Sequence, residues 1–235
     1  MANKLEMVYE GKAKKVYKTD DPKRFIVDYK DDATAFNGVK KGTIEDKGIM
    51  NNKISSILFG LLESKGIETH FIELLSDREM EVKAVKILPI EVITRNIAAG
   101  SICQRFGLEE GLILEKPLIE LCYKNDALGD PFITEDHVEI LKLATKEQIT
   151  SLKESTLKIN KVLKDFFLEK GIKLVDFKLE FGLYEDRVIL ADEISPDTCR
   201  FWDAKTNEKL DKDRFRRDLG DITKGYISIM NKLTK

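Results

Sequence analysis

Long apolar runs are missing from this 235-residue sequence, so no segment reads as a membrane span. Cysteine is scarce: Cys103, Cys122 and Cys199 are too few and too scattered for a disulfide framework or a zinc site. They read as reduced, structural thiols. The only two histidines, His70 and His137, stand apart from each other and from any triad, and read as structural or surface residues. No charge of one sign prevails, since 40 basic and 42 acidic residues intermix to a net charge of −2. That balance removes the broad field that nucleic acid or an anionic membrane would need, and any phosphate recognition has to be local. The opening MANKLEMVYEGK has no apolar signal core, and a cytoplasmic protein is the expectation.

What is present is an ordered series of short periodic segments without repeats, low-complexity stretches or a flexible linker. The first third reads mainly as strands: MVYEGKAKKVYKT, then RFIVDYK, then a turn-rich DDATAFNGVKKG in which Asn37-Gly38 favours positive φ. One helix interrupts them, with Ile54, Ile57, Leu58, Leu61 and Leu62 at helical spacing and Gly66 as its stop. Strands follow at about 69–75, 79–87 and 90–97, with Pro89 expected to break the last two apart. Ser101 precedes a short helix ending near Gly107, and Thr145 with Gln148 forms a capping box ahead of a long amphipathic helix closed by Gly171. A final helix is expected from Asp213 through Leu233. The pattern is that of an α+β protein: a β-rich lobe over residues 1–88 packed on a larger α/β lobe over 89–235, with a cleft between them.

The stretch LVDFKLEFGLYEDRVILADEISPD carries the sharpest chemical signal. Alternation puts Val175, Phe177, Leu179 and Phe181 on one face and Asp176, Lys178 and Glu180 on the other. The chain then returns as a hairpin bearing Asp192 and Glu193. An odd loop would set Glu180 opposite Asp192, whereas an even loop would bring Glu193 to Lys178. Facing carboxylates repel unless a cation lies between them, and Mg²⁺, which needs only one or two carboxylates plus phosphate oxygens, suits such a pair. An ordinary solvated sheet face is the alternative.

Other clusters are less specific. EGKAKKVY sets Gly11 beside Lys12 and Lys14, either to receive a phosphate or to guard an edge strand against aggregation. EVITRNIAAGSICQRFG ends a strand at Arg95, turns through Gly100 and opens a helix at Ser101, the outline of a phosphate pocket. The other reading makes Ser101 a plain N-cap and Arg95 a surface ion-pair partner. YKNDALGDPF, SPDTCRFWD and DKDRFRR add Lys124, Asp126, Asp130, Ser195, Asp197, Arg200, Lys212, Arg214 and Arg216.

Taken in order, EGKAKKVY, TRNIAAGS, YKNDALGDP, LVDFKLEFG and DEISPDTCRFWD resemble the SAICAR synthetase (phosphoribosylaminoimidazole-succinocarboxamide synthase) family along essentially the whole chain. The R-N-x-A-A-G-S and D-F-K-L-E-F-G pieces are the specific ones. The resemblance implies an ATP-dependent ligase of purine biosynthesis. It would join the carboxylate of the aminoimidazole ribonucleotide CAIR to the amine of L-aspartate through an acyl phosphate, with Mg²⁺ as cofactor and a homodimer as the assembly. It also implies that the β-rich lobe binds ATP. A small-molecule kinase and a non-catalytic nucleotide-binding regulator are the rival readings.

Carried over by position, the resemblance sets Lys12, Ala13 and Lys14 against the ATP phosphates and Val82 to Leu88, with Lys83, near the nucleotide. Glu180 and Asp192 become the Mg²⁺ ligands, which goes with the odd-loop register. Arg95, Gly100 and Ser101 receive the ribonucleotide, with Lys178, Asp197 and Arg200 in the same pocket. Lys124 and Asp130, with Glu91 and Asp176, are candidates for CAIR contacts or a second metal, and Lys212 and Arg216 for anchoring aspartate. Lys178, Arg200 and Lys14 are the implied catalytic groups. One departure stands out: Thr34-Ala35-Phe36-Asn37 replaces the Ser-Ala-Phe-Asp of many members, removing a carboxylate at the last position.

Overall fold

Short strands with β-branched and aromatic residues dominate the first third, and they assemble in the order their hairpin turns dictate. A computed structural model describes residues 2–35 and 39–234. The first sheet runs β1 (Lys4–Glu10), β2 (Lys14–Thr19), β3 (Arg24–Tyr29), β7 (Glu79–Lys83) and β6 (Phe71–Leu74), all antiparallel. A separate hairpin pairs β4 (Asp32–Ala35) with β5 (Lys40–Thr43), in the stretch read as turn-rich. Asn37, with Phe36 and Gly38, lies outside the described residues.

The second sheet is ordered β10 (Phe132–Ile133), β9 (Ile113–Tyr123), β8 (Lys86–Ile97), β11 (Ile172–Tyr184) and β12 (Arg187–Ala191), and β13 (Cys199–Asp203) pairs with the first half of β11. Pro89 does not break β8. It sits where the β8–β11 register slips between Glu180 and Gly182, so no ladder bond is lost for want of its N–H. The break falls instead at Ala84-Val85, between β7 and β8.

The helices follow their apolar spacing. α1 (Lys47–Ser64) buries Ile54, Leu58, Phe59 and Leu62 and ends before Gly66 at φ 75°. α2 (Ser101–Phe106) and α3 (Glu135–Ile140) are short, and α4 (Lys146–Glu169) carries the expected capping box of Thr145 and Gln148. The expected final helix is two pieces, α5 (Asp213–Arg216) and α6 (Ile222–Leu233). Positive φ at Asp218, Gly220 and Asp221 interrupts it. Among the described residues no helix is long and apolar enough to cross a membrane.

One apolar cluster joins both sheets, from Val27, Met80 and Val82 of the first to Val92, Phe177, Leu179 and Phe181 of the second, with α1, α4 and α6 packed on it. His70 helps to close the seam. Its backbone N–H donates to the Leu190 carbonyl of β12 at 2.8 Å, and its ring meets Phe59 edge-on at 5.2 Å.

Burial pushes the His70 imidazole from 6.5 down to about 3; Lys14 and Lys83 act in the same direction and Asp192 against it. The folded chain therefore binds fewer protons than the unfolded chain between those values. The His70 contribution is complete above pH 6.5 and disappears as pH falls towards 3. Asp211, pushed up to about 7 by burial and by Asp213, acts oppositely in part of that window. The difference between parent and variant isolates His70. His70→Leu is expected to remove about 3 kcal/mol of the stability change between pH 7 and 4 in urea titrations. An unchanged pH slope refutes the assignment.

Candidate active site

On β11 the alternation delivers what it promised: Val175, Phe177, Leu179 and Phe181 enter the core while Asp176, Lys178 and Glu180 share the opposite face. That face is not a solvated one, because Asp176 and Glu180 are buried. Leaving either unpaired would cost several kcal/mol, and each is met by cations. Asp176 lies opposite Arg95 on β8 and Arg200 on β13, and accepts from them at 3.0 and 2.8 Å. Glu180 lies opposite Glu91, and Lys178 bridges this facing pair at 2.6 and 2.8 Å while Lys124 adds a 2.8 Å bond to Glu180.

The hairpin register differs from the odd-loop expectation. Glu185 and Asp186, at φ 48° and 65°, form a two-residue turn that pairs Tyr184 with Arg187 and Glu180 with Ala191. Glu180 therefore does not oppose Asp192. The strand ends at Ala191 and Asp192 takes φ 64°, which breaks the alternation and lets its carboxylate pair with Lys14 of β2. Lys14 also lies 3.3 Å from Glu193, whose other oxygen accepts from the Ser195 hydroxyl at 2.7 Å. The even register does not bring Glu193 to Lys178 either, since the Lys178 N–H donates to the Thr198 carbonyl.

Two opposing effects set the charge states here. Burial disfavours the Lys14 and Lys178 ammoniums, but Asp192 with Glu193, and Glu180 with Asp192 and Glu91, outweigh it and raise both pKa values. Burial likewise opposes ionisation of Asp192, yet Lys14, Lys178 and Lys124 hold it well below the usual carboxylate range. The cluster is a set of fixed charges. Asp192 and Glu180 feel the same two lysines, Lys124 and Lys178, although the strand register does not pair them.

Beside it lies a cleft of about 390 Å³, with Lys12, Ala13, Thr34 and Ala35 on one wall and Arg95, Ser101, Asp176, Lys178, Asp197, Arg200, Lys212 and Arg216 on the others. Gly100, at φ 63°, lets the Arg200 guanidinium come close: a Cβ there would meet its Nη2 at 2.5 Å. Arg200 is held further by Asp213, which accepts from its Nε at 2.9 Å and from Arg216 at 2.6 Å. Asp197 accepts from Lys47 at 2.7 Å, Lys212 at 3.3 Å and the Tyr226 hydroxyl at 2.6 Å. Burial works against the Asp197 charge, but Lys47 and Lys212 lower its pKa below the ordinary carboxylate range. Burial, Lys47 and Arg216 in turn depress the Lys212 ammonium, against the pull of Asp197.

The expected site residues thus fall into three places. Lys12, Ala13, Arg95, Ser101, Lys178, Asp197, Arg200, Lys212 and Arg216 line the cleft, with Gly100 behind Arg200. Lys14, Glu91, Lys124, Glu180 and Asp192 form the adjoining ion cluster, and Lys178 belongs to both. Lys83 and Asp130 stand apart. The Lys83 ammonium donates to the Thr69 carbonyl at 2.8 Å and lies 5.6 Å from the Tyr184 ring, and Asp130 accepts from the Asn125 N–H at 2.8 Å to close its own loop. Lys12 reaches that loop at Asp126, also at 2.8 Å. Ser101 is not an N-cap: Gly100 holds that position, and the Ser101 hydroxyl accepts from Arg95 at 3.1 Å.

Lys47, Tyr226, Asp213 and Glu120 were missed. Lys47 had one available signal, a cation in the first turn of a helix, where the dipole disfavours it. Its fully buried ammonium is repaid by Asp197. Tyr226 was absorbed into the apolar stripe of α6, and only its hydroxyl marks it out.

A family model described as SAICAR synthetase matches residues 7–233. The phosphoribosylaminoimidazole-succinocarboxamide synthase of Caldanaerobacter subterraneus subsp. tengcongensis is 60% identical over 230 residues, covering 98% of both chains. The enzyme of that name from Clostridium acetobutylicum is 59% identical over 231 residues, again 98% of both. Among solved structures, the Ehrlichia chaffeensis synthase has a TM-score of 0.95 at 49% identity, covering 97% of this chain and 98% of its own. A SAICAR synthetase in complex with ADP has a TM-score of 0.94 at 49% identity over 97% of each chain.

Gly100→Ala is expected to cost about 1–3 kcal/mol in denaturant unfolding, from positive φ and the displaced Arg200 together. Gly107, at φ 64° with open space where a Cβ would go, is the control: Gly107→Ala keeps only the backbone part, about 1 kcal/mol. Equal losses would show that the approach of Arg200 does not matter.

Proposed function

Because the chain belongs to the SAICAR synthetase family, we propose that it joins the carboxylate of CAIR to the amine of L-aspartate, converting ATP to ADP and phosphate. ATP binding falls to residues 1–88 and the ribonucleotide to residues 89–235. The observation that carries the reading is the cleft itself, where Lys12 and Ala13 in the turn between β1 and β2 face Arg95 of β8, Ser101 of α2 and Arg200 of β13 across a gap that Lys178 borders. Such a gap can hold two anions side by side.

A carboxylate is a poor electrophile, so its oxygen first attacks the γ-phosphorus of ATP and ADP leaves. The aspartate nitrogen then attacks the acyl carbon of the resulting acyl phosphate, phosphate leaves and the nitrogen gives up a proton. Donor and acceptor are both anionic, which makes catalysis a matter of positioning and neutralisation. Lys12 and Lys14 neutralise the ATP phosphates, and Lys83 accompanies the nucleotide. Lys178, between the two anions, steadies the transferring phosphoryl group. Arg95, Ser101 and Arg200 receive the ribonucleotide phosphate, with Lys124 and Asp197 as further contacts to the rest of the ribonucleotide. Lys212 and Arg216 offer cations to the aspartate carboxylates.

Glu180 and Asp192 suit Mg²⁺ by their chemistry. Glu180 gives one oxygen to Lys124 and Lys178 and Asp192 gives one to Lys14, and among the described residues no protein donor meets the other oxygen of either. No group of three His, Cys, Asp or Glu among the described residues forms an all-protein cage, and Mg²⁺ bound through phosphate oxygens does not need one. When bound, the ion neutralises charge on the phosphates. We infer a homodimer working in the cytoplasm as well; a monomer mass in sedimentation counts against that assembly.

Phosphate release is expected only when ATP, CAIR and L-aspartate are all supplied. Turnover with a hydroxyl acceptor would favour a kinase, and nucleotide binding without turnover a regulator. Glu180→Gln is expected to lower kcat by about 100-fold and raise the Mg²⁺ concentration for half-maximal rate, with the far-UV spectrum retained. An unchanged Mg²⁺ titration removes Glu180 from the metal. Arg95→Leu is expected to raise KM for CAIR by at least about tenfold, and a normal KM refutes that contact.

A further inference from the structure

Arg95 meets the cleft with almost all of its hydrogen-bonding capacity already committed. Its Nε donates to Glu120 at 2.6 Å, its Nη1 to Asp176 at 3.0 Å and to the Ala99 carbonyl at 3.4 Å, and its Nη2 to the Ser101 hydroxyl at 3.1 Å. A guanidinium has five N–H bonds, so one remains, on the nitrogen that already touches Ser101 of the cleft wall. The plane of the group decides where that last donor points. Four bonds from its three nitrogens fix the plane, and the shortest of them goes to Glu120, on β9 and outside the cleft.

We propose that Glu120 is the positioning residue that holds the Arg95 guanidinium in the plane from which it meets the ribonucleotide phosphate. This rests on the reading above in which Arg95 receives that phosphate. Glu120 is braced in its turn: its other oxygen pairs with Arg105 of α2, whose guanidinium lies 3.8 Å over the Phe132 ring. Arg105, Glu120 and Phe132 line a second cavity of about 360 Å³ that contains none of the cleft residues. The plane of Arg95 is therefore set from outside the cleft but on the same face of the sheet, since Arg95 pairs with Leu118 and Glu120 lies two residues further along β9. Alternating charges run from Arg105 through Glu120, Arg95, Asp176 and Arg200 to Asp213, and each is satisfied by the next.

The sign of the Glu120→Gln effect separates positioning from simple charge. Removing a carboxylate makes the surroundings more positive, so if Glu120 only tempered the charge, CAIR would bind more tightly. If Glu120 orients Arg95, the amide keeps the shape but loses the charge-assisted bond, and CAIR binds more weakly.

Steady-state kinetics of the full-length protein test this. Glu120→Gln is expected to raise KM for CAIR about tenfold, to lower kcat by a smaller factor and to leave KM for ATP within about twofold. Glu120→Asp, which keeps the charge but withdraws the oxygen from Arg95, is expected to raise KM for CAIR about threefold, where simple charge predicts no change, and decides the matter should Glu120→Gln fail to fold. An unchanged or lowered KM for CAIR in the folded variant overturns the proposal, as does an equal rise in KM for ATP. Arg95→Leu, measured alongside, keeps the two failures apart. If it leaves KM for CAIR unchanged, the phosphate contact itself is wrong; if it raises KM while Glu120→Gln does not, only the positioning role falls.

Discussion

Asp176, Lys178 and Glu180 occupy consecutive positions on one face of β11, and their mutual compensation is the constraint from which the rest of the site follows. Asp176 and Glu180 are buried, and a buried charge persists only when paired and hydrogen-bonded. Each is therefore surrounded by cations drawn from several elements: Arg95 from β8, Lys124 from the loop after β9 and Arg200 from β13. Satisfying the acids draws the basic groups together, and the sheet thereby gains a cationic wall without a basic protein. This reconciles a net charge of −2 with a cleft fit for phosphates.

In the second sheet β11 and β12 could be read from alternation, because β11 is long and its two faces differ sharply in polarity, and β8 in outline, whereas β9, β10 and β13 were not read as strands. The capping box of Thr145 and Gln148 fixed the start of α4 through chemistry local to four residues. Register was harder to read. Whether the β11–β12 turn holds two residues or three depends on Glu185 and Asp186 accepting positive φ, which non-glycine residues signal weakly. Pro89 misled because a missing N–H matters only where the ladder asks for one, and the bulge beside it does not. At the C-terminal end the apolar stripe ran on, while Gly220 and Asp221 divided the helix that carries it.

The site was legible as a set of residues but not as a set of contacts. Arg95, Lys178, Asp197 and Arg200 stood out through their motifs, yet their partners Lys47, Asp213, Glu120 and Tyr226 belong to segments whose pattern is ordinary. Long-range pairs leave no mark on a single sequence. Asp192 shows the same limit from another side, since its carboxylate reaches Lys14 only because its backbone leaves the strand.

The apolar cluster shared by both sheets has a mechanical corollary. Phe59 and Leu58 of α1 belong to the same packed unit as Phe181 of β11 and Leu190 of β12, so the halves flanking the cleft cannot swing as independent rigid bodies without opening the interior. Ligand entry is then left to the peripheral loops, such as those bearing Lys12 and Asp126. Neither side of a cut between β7 and β8 would hold a complete interior of its own, so the nucleotide-facing half is no free-standing module.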